Sequence, residues 1–332
     1  MTTIAHLTDV HLGPIEGFAP RYWSLKRGLG YANWMRKRRH VHQRAVLDRI
    51  VADMEAQGPD HIAVTGDLAN IGLPQEHINA LAWLQGVGSP ERVTVVPGNH
   101  DTYSRIGRDP GARRWAEYMR SNAGGLAYAG SGGARFPFVR VIGEVALVGV
   151  DSAVETPPLM AWGRIGKRQL EGLAGVLERL RGSGLFRLVL VHHPPLTGQA
   201  DAARGLRDAP ALKSVLARGG AELVIHGHNH RNMLAWLPCS AGPDVGDQVI
   251  GGGAWDSEPG RIAVVGAPSA SRGRRHHHEA LARYNLYRIA RSKGEESPGP
   301  WHLEMVGRGL ADPDGPVVEL ERRVLPLGGG CR

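Results

Sequence analysis

Five times between Thr3 and His230 an apolar run stops and gives way at once to histidine, aspartate or asparagine. A run from Thr3 delivers Asp9-Val10-His11, His61–Thr65 delivers Gly66-Asp67, and Arg92–Val96 delivers Gly98-Asn99-His100-Asp101. Phe186–Val191 delivers His192-His193-Pro194, and Glu222–Ile225 delivers His226 and then Gly227-His228-Asn229-His230. Short apolar runs bounded by turn residues read as buried strands. A glycine such as Gly98 lets the chain turn sharply where the strand ends.

Helical spacing fills the gaps. Val46, Leu47, Ile50, Val51 and Met54 line one face of a helix within Val41–Met54. Further helices are expected over Pro74–Leu84, Ala112–Arg120, Lys167–Leu180 and Ala209–Arg218. Gly124–Gly133 reads as a loop, and Phe138–Ile142 with Val145–Val150 as a hairpin. Alternating strands and helices imply a mainly parallel sheet with helices on its faces. Such sheets bind ligands beyond the carboxyl ends of their strands, where all the polar runs fall. After His230 the rhythm changes to short strands at Met233–Leu237, Val249-Ile250, Ile262–Val265, Tyr284–Ile289 and Trp301–Val306. These predict a second sheet packed on the first, so the expected fold is α/β with two packed mixed β-sheets flanked by helices. Residues 1–307 form one domain on this reading, with 17–47 as an inserted cap, 232–307 as the second-sheet strands and 308–332 as a C-terminal extension. Ser269–Arg283 reads as an exposed loop or short helix, and Leu327–Arg332 as a mobile tail.

Asp9, His11, Asp67, Asn99, His192, His228 and His230 are nitrogen and oxygen ligands with no thiolate, a set that suits Mn, Fe, Zn or Co. Seven are too many for one ion with an open position and fit two ions sharing a carboxylate. Strand-end residues of these types also cap ordinary turns. His226, His6 and His61 read as packing residues, and His276–His278 as part of a solvated loop.

The order Asp-x-His, Gly-Asp, Gly-Asn-His-Asp, His before a proline, and Gly-His-x-His resembles the calcineurin-like metallophosphoesterase superfamily. The resemblance implies a four-layer αββα sandwich holding two metal ions. It places Asp9, His11 and His230 on the first ion and Asn99, His192 and His228 on the second, with Asp67 bridging. His192 is preferred to His193 because one residue separates it from Pro194. The implied reaction is phosphodiester hydrolysis by in-line attack of a metal-bridging hydroxide, with His100 facing the substrate and Asp101 supporting it. Three residues beyond Asp67 stands Asn70, where relatives in the purple acid and Ser/Thr branches carry a tyrosine or an aspartate. The pattern is closer to bacterial class III cyclic-nucleotide phosphodiesterases, which favours a diester over a monoester. Asn70 and His193 are then candidates for substrate contact. A nuclease of the same superfamily, or a metal-bound docking protein without turnover, are the competing functions.

The net charge of +8 has one source. Between Gly17 and Leu47 stand Arg21, Lys26, Arg27, Arg36, Lys37, Arg38, Arg39 and Arg44 with no acid, and the remaining 32 Lys and Arg equal the 32 Asp and Glu. The stretch also carries Phe18, Tyr22, Trp23, Tyr31 and Trp34, as well as His40 and His42. It fits a solvated cap over the site, a surface for an anionic membrane, or a grip on nucleic acid. Arg21 and Trp23 are its candidates for substrate contact. Two distant cysteines, Cys239 and Cys331, imply no disulfide framework and suit a reducing compartment. No secretory signal or membrane-spanning run of about 20 residues is visible, so a cytoplasmic location is expected, with peripheral attachment to the inner membrane face left open.

Overall fold

The structure, a computed structural model, describes residues 1–130, 135–239, 261–275, 279–292 and 300–327. Twelve strands among them form two six-stranded sheets. The first has the order β12-β11-β10-β1-β2-β3, from β1 (Thr2–Leu7), β2 (His61–Val64), β3 (Val93–Val95), β10 (Arg283–Arg291), β11 (Trp301–Leu310) and β12 (Val317–Leu325). The second has the order β4-β5-β6-β7-β9-β8, from β4 (Phe138–Ile142), β5 (Val145–Gly149), β6 (Phe186–Leu190), β7 (Leu223–His226), β8 (Met233–Pro238) and β9 (Arg261–Gly266). Strands β1, β2 and β3 are parallel, as are β5, β6, β7 and β9.

The two-residue alternation of side chains explains the layering. Leu188 and Leu190 face the core shared with Leu7 and Ile62, while Val189 between them faces Leu173, Leu177, Leu212 and Leu216. Those leucines belong to α5 (Lys167–Leu180) and α6 (Ala209–Gly219), which cover the outer face of the second sheet. α3 (Arg44–Ala56) and α4 (Pro74–Val87) bury Leu47, Ile50, Met54, Ala80 and Leu84 in the core that includes the first sheet. Two packed mixed sheets flanked by helices are therefore present. The 111–119 segment is a 3₁₀ rather than an α-helix.

The division between the sheets differs from expectation. The strands before His230 do not form one sheet: β1–β3 lie in the first and β5–β7 in the second. The later strands are also split, β8 and β9 joining β7 while β10 and β11 join β1. The β4–β5 hairpin begins a new sheet instead of extending β3, and the hydrophobic pattern carries no mark of that choice. Residues expected to form a C-terminal extension supply β12, paired from Leu310↔Val317 to Leu303↔Leu325. Ser269, Ser271 and Arg272, expected to be exposed, are buried. Cys239 is disulfide-bonded, against the expectation of reduced thiols. Val249-Ile250, His276–His278 and residues 328–332 lie outside the described residues. Among the described residues no helix is long and apolar enough to cross a membrane.

The basic stretch folds as α1 (Leu25–Asn33), a π-helical turn at Trp34–Arg38 and the short α2 (Arg39–Val41). Ser24 caps α1 by accepting from Arg27 N at 3.2 Å. Its charges are not all solvated. Lys26 Nζ donates to Tyr103 O at 2.8 Å, Thr156 O at 2.9 Å and Thr156 Oγ1 at 2.8 Å, and burial lowers its pKa to about 8. Arg27 donates to Ile71 O at 3.3 Å. Trp34 packs with Ile15, Ile71 and Leu73. These bonds fasten the stretch to the body.

Candidate dinuclear metal centre

The carboxyl ends of β1, β2, β3, β6 and β7 meet where the two sheets face each other. Glycines permit the approach: a methyl group at Gly66 would strike the Gly98 backbone, one at Gly98 would strike Asp67, and one at Gly227 would strike Thr8 and Asp9. Backbone strain concentrates in the same place. Outside glycine, positive φ occurs among the described residues at Asp9 (50°), His11 (44°), Asp67 (56°), His228 (69°), His230 (52°) and Leu159 (66°). Five of the six belong to the seven expected ligands. Such conformations are costly for residues with a Cβ and cluster at functional sites.

Two groups of ligand atoms result. In one, His230 Nε2 lies 3.1 Å from Asp9 Oδ1 and 3.4 Å from His11 Nε2. In the other, Asn99 Oδ1 lies 3.1 Å from His192 Nε2 and 2.9 Å from His228 Nδ1. Asp67 stands between them, with Oδ2 at 3.9 Å from His11 Nε2 and 3.4 Å from His192 Nε2. Its other oxygen, Oδ1, accepts from His100 N at 2.7 Å.

Outer contacts set which atom of each ligand points inward. His11 Nδ1 meets Ala69 O at 3.1 Å and His192 Nδ1 meets Thr65 O at 2.6 Å, so each donates there and turns the lone pair of Nε2 inward. Asp9 Oδ2 accepts from Thr8 Oγ1 at 2.8 Å and from His228 N at 2.9 Å, leaving Oδ1 for the cluster. Asp101 accepts from the backbone N–H of Asp67, Leu68, Ala69 and Gly98 at 2.8–2.9 Å, clamping two strand-end loops together. Burial and the neighbouring Asp67 push its pKa up to about 7, against those N–H groups.

The donor set fits cations. Asn99 Oδ1, His192 Nε2 and His228 Nδ1 converge, and each offers a lone pair to the same point once the imidazoles carry their proton on the other ring nitrogen. Burial would lower His192, yet the Asp67 carboxylate and then Asp9 raise it to about 9, so the local field favours positive charge there. Burial holds His11 and His228 well below the usual imidazole range, keeping them neutral as ligands must be. His192–His193–His228, Asp9–His11–His230 and Asp9–Asp67–His192 each bring their ligand atoms within 4.8 Å.

Above the groups lies a cleft of about 290 Å³ lined by Asn33, Lys37, Arg38, His100, Arg204 and Arg272 together with Asp67, Asn99, His228 and His230. His100 Nδ1 is hydrogen-bonded to Asn70 O, which leaves Nε2 3.0 Å from Arg38 Nη1. Burial and then the Arg38 charge lower the His100 pKa to about 3. Arg38 Nη2 also donates to His11 Nε2 at 2.8 Å.

The seven expected ligands and His100 are brought together. The expected substrate contacts are placed otherwise. Asn70 is buried and donates from Nδ2 to Leu12 O at 2.7 Å, so it orients His100 from behind. His193 is buried, with Nδ1 at 2.8 Å from Ser152 Oγ and Nε2 at 3.2 Å from Ala161 O, so both ring nitrogens are engaged by the protein. Arg21 stacks on Tyr22 and Trp23 packs toward Gly28, and neither lines the cleft. Arg38, Arg204 and Arg272 line it unforeseen. His42, expected only as part of the basic stretch, packs edge-on against His11 at 4.5 Å and is held by Ser271 Oγ at 2.9 Å.

Residues 2–232 match the family model of calcineurin-like phosphoesterases. The chain belongs to that family. A relative in Synechococcus sp., described as a probable cyclic nucleotide phosphodiesterase, is 26% identical over 206 residues, covering 58% of this chain and 68% of its own length. The fold resembles a dimetal phosphatase from Danio rerio at a TM-score of 0.56 and 15% identity, over 96% of this chain and 98% of that one. It also resembles the purple acid phosphatase PPD1 of yellow lupin at a TM-score of 0.55 and 12% identity, over 98% of this chain but 54% of the lupin chain. Family membership accounts for His and Asp clusters able to hold metals beyond the strand ends.

Proposed function

We propose that the chain is a dinuclear metal-dependent phosphodiesterase. The observation that carries this reading is Asp67 Oδ2, set between His11 Nε2 and His192 Nε2 at 3.9 and 3.4 Å. Asp9, His11 and His230 would hold one ion, Asn99, His192 and His228 the other, and Asp67 both. Two such ions, Mn, Fe or Zn, would act as Lewis acids on phosphoryl oxygens and lower the pKa of a water.

The chain's own residues then have separate tasks. His100 presents the lone pair of Nε2 to the cleft with its tautomer set by Asn70 O, so it would reach the leaving oxygen as a proton donor only after taking up a proton there. Lys37, Arg38 and Arg204 give the cleft a positive lining for an anionic ester, while Arg272 is paired with Glu279 at its edge. Asp101 keeps Asp67 and Asn99 at a fixed spacing through the loops that it clamps. A diester is preferred because position 70 holds asparagine and because a distant relative is described as a probable cyclic nucleotide phosphodiesterase.

Steady-state hydrolysis of bis(p-nitrophenyl) phosphate and p-nitrophenyl phosphate by Mn-loaded protein tests this. The diester should be turned over faster, and a chelator should abolish the activity. Faster monoester turnover would reverse the substrate class. Full activity in Asn99→Ala or His192→Ala would sink the ligand assignment.

A further inference from the structure

We propose that the outer face of the cap is a docking surface for an anionic lipid bilayer. Large apolar side chains are exposed on two neighbouring segments: Trp23 (64%), Leu25 and Leu29 at the start of the basic stretch, and Leu159 (87%) and Met160 on the loop after Thr156. Lys26 holds the segments together through Thr156 O and Oγ1, and Thr156 Oγ1 in turn donates to Met160 O at 2.6 Å. Leu25 and Leu29 lie one helical turn apart on the solvent side of α1, opposite the buried Lys26 and Arg27. Leu159 presents its side chain from a left-handed backbone at φ 66°, which a leucine adopts only at a cost.

The charge of the basic stretch selects the partner. Arg21, Arg36, Lys37 and Arg39 are exposed, and the sequence from 17 to 47 contains no acid. Apolar groups among basic side chains, with no spanning helix among the described residues, fit a protein lying on a membrane with its cations at the head groups. Single-stranded nucleic acid would need several exposed aromatic faces in succession, but Trp23 alone among the aromatics of the stretch is exposed, Trp34 being buried and Phe18, Tyr22 and Tyr31 partly buried.

Both segments lead into the cleft. Asn33, Lys37 and Arg38 continue from α1 into its wall, and Ala161, next to Met160, lines it as well. A docked cap would open the cleft at the bilayer surface. On the phosphodiesterase reading, on which this last step rests, the substrate is a phosphodiester carried on a lipid.

Co-sedimentation of the full chain with phosphatidylcholine vesicles, with and without about a third phosphatidylglycerol, tests the surface. Binding to the anionic vesicles should be stronger by at least about tenfold and should weaken with salt. Leu25→Ser/Leu29→Ser/Leu159→Ser should lose that binding, keep its thermal midpoint and hydrolyse bis(p-nitrophenyl) phosphate at the unchanged rate. Equal binding to both vesicles, or an unaltered variant, overturns the proposal. So does a wild-type dimer in sedimentation velocity that the triple variant converts to monomer, because the patch then serves a second copy. Vesicle binding without turnover of any phosphodiester leaves the docking surface standing and removes the lipid substrate.

Discussion

Arg38 donates from Nη2 to His11 Nε2 at 2.8 Å, the lone pair that the Ala69 carbonyl turns inward by taking the proton on Nδ1. A guanidinium and a divalent ion compete for that lone pair and repel each other. Arg38→Ala should therefore tighten Mn binding by roughly tenfold, the loss of one repulsive charge at partly screened range. The same change should lower kcat/KM for an anionic diester by roughly 10–100-fold, because a positive group in the cleft is lost. Competition with a chelating dye and steady-state kinetics give the two readouts. Metal affinity that stays level or falls would show that Arg38 does not share the His11 lone pair.

Asp101→Asn isolates the clamp from the chemistry. Oδ1 of Asp101 takes the N–H of Leu68 and Ala69, and Oδ2 takes those of Asp67 and Gly98. An asparagine must turn its NH₂ toward one of these pairs and leave two buried donors unmatched. The expected loss is roughly 2–6 kcal/mol, from about 1–3 kcal/mol per unsatisfied buried group. Urea unfolding of the metal-free protein measures it. A loss below about 1 kcal/mol would mean that the loops do not depend on the clamp.

The cluster of polar side chains at the strand ends was legible because histidine, aspartate and asparagine interrupt apolar strands at their carboxyl ends, a contrast visible residue by residue. Sheet membership was not, because it depends on which strand pairs with which, and Val95 at the end of β3 reads the same whether or not β4 joins it. β12 was missed because Val317–Leu325 is an edge strand with Glu319, Arg322 and Arg323 exposed, so its pattern reads as polar. Arg38 could not be singled out from eight basic residues. The π turn at Trp34–Arg38 changes the angular spacing of side chains from the α-helical period and thereby decides which of them faces the site. Arg272 looked solvated beside Arg274 and Arg275. Its burial comes from an ion pair with Glu279 and from His230 at 3.5 Å, both contacts made by the fold.

The junction of α3 with the first sheet carries a pH dependence of known sign. Asp53 accepts from Arg308 Nε and Nη2 at 2.8 Å each and from Tyr284 Oη at 2.6 Å. Burial alone would raise its pKa, but the Arg308 and Tyr284 hydrogen bonds hold it below the ordinary carboxylate value. A depressed folded-state pKa gives stability that is present above the unfolded value near 4 and lost as pH falls through the folded value. Asp53→Asn should thus be less stable at pH 7 by about 1–3 kcal/mol, the range for hydrogen bonds to a charged group, and the gap should close in acid. Chemical unfolding at pH 7 and pH 3 compares them, and a gap independent of pH would exclude Asp53 as the titrating group.

Asp67→Asn tests the position that defines the centre. Removing Asn99 or His230 should weaken one ion, because each side chain belongs to a single group of ligand atoms. Asp67 Oδ2 faces both groups, so Asp67→Asn should weaken two ions together while leaving the hydrogen bond from His100 N available to Oδ1. The expected loss is at least on the order of 10³-fold in affinity for each, from one unit charge about 4 Å away at an effective dielectric of about 20. Calorimetric titration with Mn should show two sites in the wild type, one tight site in Asn99→Ala and none in Asp67→Asn. A single tight site surviving in Asp67→Asn would assign the carboxylate to one ion and require another group to join the pair.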